Sequence, residues 1–410
     1  MSEAEAPAAA GSTYRTASTG LTRDLNRAAI FRLIGSSGPI ARTQIARRLG
    51  LSPATVTAVT RELLDRGIVR VAERAPSRRG RPALLLEVVG GAAAAFGIKL
   101  APDHVVGVRV DLEAEVQARF EESFDATEPG APERLADVLA RWLDGTGSTT
   151  PLLGLGVGVS GVVDSAEGRI DSPMLGWRNV PLAELLRERL RLPVLVDNDV
   201  NTLAIAERLY GRGRESDNFV TVTIGRGVGL GIVAGGDIYR GFRGGAGELG
   251  HTTAVVDGAT CRCGKRGCLE TVVGDPALVA EGRRCNLLGP DDGIEQLRRL
   301  ADEGNRPARH LFADAGAALG RAVADVSNLL SPQLVLVSGE GTQAWQHLAS
   351  AFEASFRANL FAPLDGIVVE VDPWDDAKWA VGAATLVLRA SFAAPLDEDR
   401  PSTLRMGVVA

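Results

Sequence analysis

Residues 248–270 read E-L-G-H-T-T-A-V-V-D-G-A-T-C-R-C-G-K-R-G-C-L-E. This one stretch holds three of the four cysteines and one of the four histidines in a chain of 410 residues. His251 is followed by Cys261, Cys263 and Cys268. Three thiolates and an imidazole are the donor set of a closed, tetrahedral zinc site, and with every position filled by protein none is left for a metal-bound water. The expected cofactor is therefore one structural Zn2+ per chain, held by His251, Cys261, Cys263 and Cys268, which pins a loop rather than doing chemistry. Gly264 and Gly267 supply the backbone freedom that a loop wrapped around an ion needs. The alternative is a disulfide or idle thiols. Cys261 and Cys263 are too close to bridge comfortably, and nothing marks the chain as secreted. Cys285, left over, reads as a small core residue.

Two carboxylates, Glu248 and Glu270, flank the stretch without being needed by the metal. A loop that fixes two acids and a histidine in one place points to a polar ligand site. The pattern E-x-G-H followed by C-x-C-G-x-x-G-C-x-E resembles the signature of the ROK family, which comprises both repressors and sugar kinases. Which of the two this chain resembles depends on the remainder of the sequence.

At 410 residues, two or three domains are expected. Hydrophobic residues make up 45% and charged residues 23%, ordinary for a globular protein. No apolar run reaches membrane-spanning length and no signal-like N-terminus precedes the body, so a cytoplasmic protein without a membrane partner is expected. The net charge of −6 hides an asymmetry: residues 20–89 carry 13 Arg against five Asp and Glu, so the remainder is more acidic than the whole. A small basic module on a large acidic body implies that only the front end meets a polyanion.

Residues 1–19, rich in Ala, Ser, Thr, Gly and Glu, read as a disordered tail, and 391–410 as a C-terminal tail. Between 20 and 89, Leu25, Ala28, Ala29, Leu33 and Ile34 recur at helical spacing. A second, short helix over 43–49 ends at Gly50 and lacks the usual Ser cap at its start. Ser52 can cap the next helix, with Pro53 at its first position. Val56, Val59, Leu63 and Leu64 form that helix's apolar stripe. Its outer face shows Ala54, Thr55, Thr57, Ala58 and Arg61. Helix, short turn and helix with a small polar outer face is the helix-turn-helix pattern. The runs 68–71 and 84–88 read as a hairpin whose tip, with Arg78, Arg79 and Arg81, is a basic wing suited to a minor groove or its phosphates. Ser52, Thr55, Thr57, Arg61, Arg78, Arg79 and Arg81 are the expected DNA contacts. A protein-docking module with a solvated basic hairpin is the blander reading, which the combined basic balance, capped helix and arginine wing disfavour. The segment from L-N-R-x-x-I to G-R-P-A resembles the winged helix-turn-helix of ROK repressors, which the kinases lack.

From residue 90 the chain shows strand-like runs at 94–100, 105–111 and 115–121, a helix over 132–143 and an apolar strand at 152–159. A strand at 194–196, a helix over 200–212 and strands at 219–224 and 228–234 follow. Near the end come a strand at 334–337, a strand at 367–371 and a helix over 377–388. An antiparallel meander followed by βα units, occurring twice, predicts an α/β body of two lobes. The ROK resemblance, covering most of 90–390, implies an actin-like, ribonuclease-H-like pair of lobes with ligand between them.

A phosphoryl-transfer site needs backbone amides and hydroxyls around the phosphates and a carboxylate for magnesium. Where ROK kinases carry an Asp-Gly-Gly-Thr turn, this chain reads Lys99-Leu100-Ala101-Pro102-Asp103, and Pro102 removes an amide donor. The second glycine loop keeps Gly225, Gly227, Gly229 and Gly231, but Arg226 stands where the kinases usually carry threonine. The sugar half is retained: in V-D-N-D-V-N, Asn198 and Asp199 match the kinases' ring-binding amide and general base. Glu248, His251 and Glu270 match further sugar contacts, and Gly161 and Asn179 match segments that close over the sugar. A helix N-cap is the structural alternative for Asn198 and Asp199, and support of the metal for Glu248 and Glu270.

The resemblance thus implies a sugar-responsive regulator of the xylose- or glucose-repressor type, a repressor of carbohydrate-uptake or catabolic genes with no catalytic residue. Its partners are a double-stranded DNA operator and a monosaccharide or sugar-phosphate effector, and it acts as a homodimer or tetramer. The alternatives are a DNA-tethered ATP-dependent sugar kinase and a DNA-binding protein with a purely structural body.

Overall fold

The computed structural model describes residues 19–74 and 84–391. Arg78, Arg79 and Arg81 lie outside them, as do both expected tails, save for Thr19 and Ser391, which sit at helix ends. The described residues fall into two compact units, 19–87 and 88–391.

In the first unit, α1 (Thr19–Ser37), α2 (Arg42–Leu49) and α3 (Pro53–Asp65) bury Ile30, Ile34, Ile45, Val56 and Leu63. A two-residue strand β1 (Ile40–Ala41), β2 (Val69–Arg74) and β3 (Leu84–Val88) form a sheet in the order β1-β3-β2. Gly50 takes the left-handed conformation, φ 64°, that closes α2. The Ser52 hydroxyl accepts from the Thr55 N–H at 3.1 Å and opens α3. The start of α2, which lacks a Ser cap, is supported by Gln44, whose Oε1 accepts from the Ala41 N–H at 3.2 Å. Arg42 Nε donates to the buried Thr60 hydroxyl at 2.7 Å and locks α2 against α3.

The second unit contains the same sheet twice. Strands β4 (Ala94–Leu100), β5 (His104–Asp111) and β6 (Val116–Ser123) form an antiparallel meander. After α4 (Ala131–Gly145), β7 (Leu152–Val159) joins β4 in parallel. A small sheet of β8 (Val162–Asp164), β9 (Arg169–Ser172) and β10 (Trp177–Val180) and the helix α5 (Leu182–Leu190) precede β11 (Val194–Asn198). The order is β11-β7-β4-β5-β6. Following α6 (Asp199–Leu209), strands β12 (Phe219–Ile224), β13 (Val228–Ala234) and β14 (Asp237–Ile238) repeat the meander. Helices α7 (Glu270–Val273), α8 (Asp275–Arg284), α9 (Ile294–Asp302) and α10 (Arg306–Leu330) follow. Then β15 (Leu334–Ser338), α11 (Trp345–Asn359), β16 (Val368–Val371) and α12 (Asp376–Ser391) complete the second lobe, with strand order β14-β13-β12-β15-β16.

The lobes meet through two helices. α12 lies on β4 and β7 of the first sheet, α6 on β12 and β13 of the second, and the two helices pack on each other. Close approach is possible because the strands present bare backbone. A methyl on Gly97 would sit 2.0 Å from the Ala380 carbonyl oxygen, and one on Gly156 1.8 Å from that of Ala383. Gly156→Ala would force helix and sheet apart, an overpacking defect of about 1–3 kcal/mol. The C-terminal ends of β7, β11, β12 and β15 face one cleft, the place where open α/β sheets bind ligands.

Cys285 corrects an expectation: it is exposed, at the C-cap of α8, with its sulfur 3.8 Å from Glu281 Oε1. α6 begins one residue before the apolar pattern does, because Asn198 caps it, and ends three residues earlier than its periodicity predicts.

Candidate effector cleft, metal cluster and DNA-facing helix

Between the lobes lies a cavity of about 410 Å³, and Gly161, Asn198, Asp199, Glu248, His251 and Glu270 all line it. Asn179 does not. It is exposed, left-handed at φ 48°, in the hairpin of β9 and β10, with its N–H donating to Asp171 at 3.0 Å. Ser172, Pro173 and Met174 of the same segment reach the cavity instead.

Asn198 is spent largely on the protein. Its Oδ1 caps α6, accepting from the N–H groups of Val200 (2.9 Å) and Asn201 (3.2 Å), and its Nδ2 donates to the Gly161 carbonyl at 3.0 Å. It thus fixes the cavity wall and aims the next residue. Asp199 accepts from the Val200 N–H through Oδ1 at 2.9 Å, leaving its other oxygen for a ligand. Burial raises its pKa, with the Lys99 ammonium offsetting part of the effect. Glu248, at the cavity mouth, is likewise held above its ordinary range by dehydration, with Glu270 and Asp199 adding repulsion and His251 opposing. Three acids around one cavity are suited to accepting hydrogen bonds from several hydroxyls at once.

Behind these residues stands Asp197, only 1% exposed. Arg240 grips its Oδ2 at 2.6 and 2.8 Å, and its Oδ1 accepts from Asn198 N–H (2.8 Å) and Asn201 Nδ2 (3.2 Å). Arg240 follows β14 in one lobe and Asp197 is the penultimate residue of β11 in the other, so this pair joins the two lobes. Neither was legible as a site residue.

The donor atoms of His251, Cys261, Cys263 and Cys268 lie within 4.8 Å of one another. Cys263 and Cys268 sulfurs are 3.7 Å apart, and Cys261 Sγ is 3.6 Å from His251 Nδ1. A tetrahedral zinc with its usual bond lengths needs about 3.8 Å between sulfurs and about 3.6 Å between sulfur and nitrogen. The donor set fits such an ion. Gly267 takes φ 73°, and a methyl there would strike the Val255 carbonyl oxygen at 1.6 Å, so the turn requires glycine. His251 Nε2 faces Glu248 Oε2 at 3.8 Å, too far for a direct hydrogen bond.

On the other side of Asp199 lies a network that sequence reading did not anticipate. Lys99 Nζ pairs with Asp376 Oδ1 at 2.5 Å and lies 4.4 Å above the Trp379 ring. Arg226 Nη1 reaches Asp103 at 2.6 Å, and the Arg226 N–H donates to Glu340 Oε1 at 3.0 Å. His104 sits between Asp103 (2.7 Å) and Asp376 (3.4 Å). Burial works against ionised Asp376, but His104 and Lys99 outweigh it and hold the carboxyl at about 2. The His104 imidazole is raised by Asp376, against burial, with Asp103 adding to the rise.

Residues 96–390 match the ROK family, and residues 25–80 the MarR family. The chain belongs to the ROK family. It is 31% identical over 382 residues to the N-acetylglucosamine repressor of Escherichia coli O157:H7, covering 90% of this chain and 94% of that one. With the xylose repressor of Bacillus subtilis strain 168 it shares 25% over 347 residues, 83% of this chain and 89% of the repressor. A solved ROK family transcriptional regulator, a homologue of the E. coli MLC protein, superposes with a TM-score of 0.80 at 25% identity over 91% of this chain and 97% of its own. A ROK glucokinase from Streptomyces griseus, solved with glucose and AMPPNP, matches 72% of this chain and 99% of its own at 27% identity, with a TM-score of 0.63. The ROK body here is thus shared with kinases. The MarR-type winged-helix N-terminus joined to it is the make-up of a ROK transcriptional regulator.

In that N-terminal unit, Ser52, which caps α3, and Thr57 and Arg61, on its outward face, are exposed, and Thr55 is half-buried. The hydroxyls have local duties: Ser52 and Thr55 share a hydrogen bond at 2.8 Å, and Thr57 donates to the Pro53 carbonyl at 2.8 Å. Arg61 has no hydrogen bond or ion pair among the described residues, and it is the side chain on this face with the reach for a base edge. Glu62, one position on, is held by Arg23 at 3.0 Å and Arg27 at 3.2 Å, which ties α3 to α1.

Proposed function

We propose that this ROK protein is a sugar-responsive repressor of carbohydrate-uptake or catabolic genes, binding a double-stranded operator through α3 and the arginine wing. The observation that carries the reading is the cavity between the lobes, where Asp199, Glu248, His251 and Glu270 converge beside an ion-pair network. The relatives named for N-acetylglucosamine and xylose support a monosaccharide or its derivative as effector. A ligand gripped by both lobes favours one lobe arrangement over another, and only that difference in affinity can act on the operator. Two heads on a two-fold operator, hence a homodimer or tetramer, supply the base contacts that one head lacks. His251, Cys261, Cys263 and Cys268 would hold a structural Zn2+, which supplies folding energy to the loop carrying Glu248 and Glu270.

The same site argues against phosphoryl transfer. Lys99 stands where the kinases carry the acid, with its ammonium on Asp376, and the Arg226 guanidinium and amide are engaged by Asp103 and Glu340. Genomic fragments selected on the immobilised protein, then titrated with monosaccharides in a gel shift, test the proposal. At least one sugar should weaken binding, and Asp199→Asn should blunt that response with an unchanged circular-dichroism spectrum. Fragments retained equally with every sugar would remove effector control, and ADP release above background with any hexose or pentose would restore the kinase reading.

A further inference from the structure

We infer that the effector cavity takes an uncharged sugar and rejects its phosphate esters, because the protein's own carboxylates already fill the place a phosphoryl group would occupy. This rests on the sugar-effector reading above and narrows it to one chemical class.

Four groups near Asp199 could cradle a phosphate: the Lys99 ammonium, the Arg226 guanidinium, and the backbone N–H groups of Arg226 and Val228 in the glycine turn. Each is taken. Lys99 is paired with Asp376 at 2.5 Å and Arg226 Nη1 with Asp103 at 2.6 Å. The Arg226 N–H donates to Glu340 at 3.0 Å and the Val228 N–H to Glu270 at 3.3 Å. Space is taken as well as charge: a methyl on Gly225 would lie 2.3 Å from Glu340 Cγ, so that side chain rests directly on the turn. The Trp379 ring beneath Lys99 keeps the ammonium at Asp376.

The charge balance points the same way. Lys99, Arg226, Arg262 and Lys265 are the cations here, Arg262 pairing with Glu270 at 3.3 Å and Lys265 donating to the His251 carbonyl at 2.7 Å. Against them stand Asp103, Asp376, Glu340 and Glu270, with Asp199 and Glu248 facing the cavity besides. Protonated His104 adds a cation but leaves the balance negative. A phosphate monoester brings about −1.5 to −2 at pH 7. It must displace carboxylates from their partners and then lie beside them, whereas an uncharged ring needs only acceptors for its hydroxyls, which these acids are.

Isothermal titration of the full-length, zinc-loaded protein with matched pairs decides the matter: glucose and glucose 6-phosphate, N-acetylglucosamine and its 6-phosphate, with xylose and inorganic phosphate alone. At least one free sugar should bind ten-fold or more tightly than its ester, and inorganic phosphate should give no heat. Asp103→Asn and Asp376→Asn, singly and together, release Arg226 Nη1 and the Lys99 ammonium, while Arg226 Nε keeps Glu340 at 3.4 Å. They should shrink the free-to-ester ratio about ten-fold through tighter ester binding. An ester that binds the wild-type protein as tightly as its parent sugar overturns the inference, and so does a ratio unmoved in folded variants. If operator fragments bind but neither form of any sugar does, the effector reading itself falls, a result distinct from ester preference.

Discussion

Removing Arg240 tests the frame behind the cleft. Asp197 is 1% exposed, and Arg240 supplies two of its four hydrogen bonds, at 2.6 and 2.8 Å. Arg240→Ala leaves a buried carboxylate with only Asn198 N–H and Asn201 Nδ2. Breaking a buried pair from one side costs about 3–5 kcal/mol. The Arg240 side chain is 31% exposed, so water entering its place should trim the loss to about 2–3 kcal/mol. For a body of this size that is a fall in Tm of roughly 3–5 °C. All five tryptophans lie within 88–391, so tryptophan fluorescence in urea follows this unit alone. Asp197→Asn in the Arg240→Ala background should recover more than half the loss, since a neutral amide no longer needs the cation. A loss below about 0.5 kcal/mol, or strictly additive single and double variants, would show that the pair does not hold the lobes at this point.

Three further outcomes are expected. Burial, with Glu340 adding repulsion, pushes Asp275 up to about 7. An acid raised above its unfolded value of about 3.9 costs stability as pH rises between the two, so Asp275→Asn should stabilise by about 1–3 kcal/mol at pH 8. That gain should shrink steadily below pH 7, and a pH-independent gain would contradict it. Chelation, or Cys263→Ala, should release about one zinc per chain by elemental analysis and expose the segment 251–268 to proteolysis. Folded wild-type protein without zinc would remove the metal. Arg61→Ala should weaken specific operator binding by about 1–3 kcal/mol, while Arg79→Ala should weaken binding to all sequences and lower the salt slope by about one. Salt titrations in which neither variant differs from wild type contradict both assignments.

Periodicity and spacing along the chain made the local elements and the metal cluster legible. The runs 94–100, 152–159, 219–224 and 228–234 are strands with those bounds, because alternating or continuous apolar residues define a strand without reference to the rest of the fold. Cys261, Cys263 and Cys268 could be grouped with His251 because few residues separate them. Family likeness then placed Asp199, Glu248 and Glu270 at one cavity, and the structure brings them there. Asn179, drawn from the same likeness, does not reach it, because its hairpin turns the residue outward. Cys285 had no pattern around it to reveal that it caps an exposed helix end.

Tertiary structure alone decided what surrounds Asp199. Lys99 meets Asp376 across 277 residues, Arg226 meets Asp103 across 123, and Arg240 meets Asp197 across 43. A charged side chain in the sequence carries no mark of its partner, since a Coulomb pair has neither period nor fixed spacing. These pairs form where folding brings strand ends, the loops after them and the start of α12 together between the two sheets.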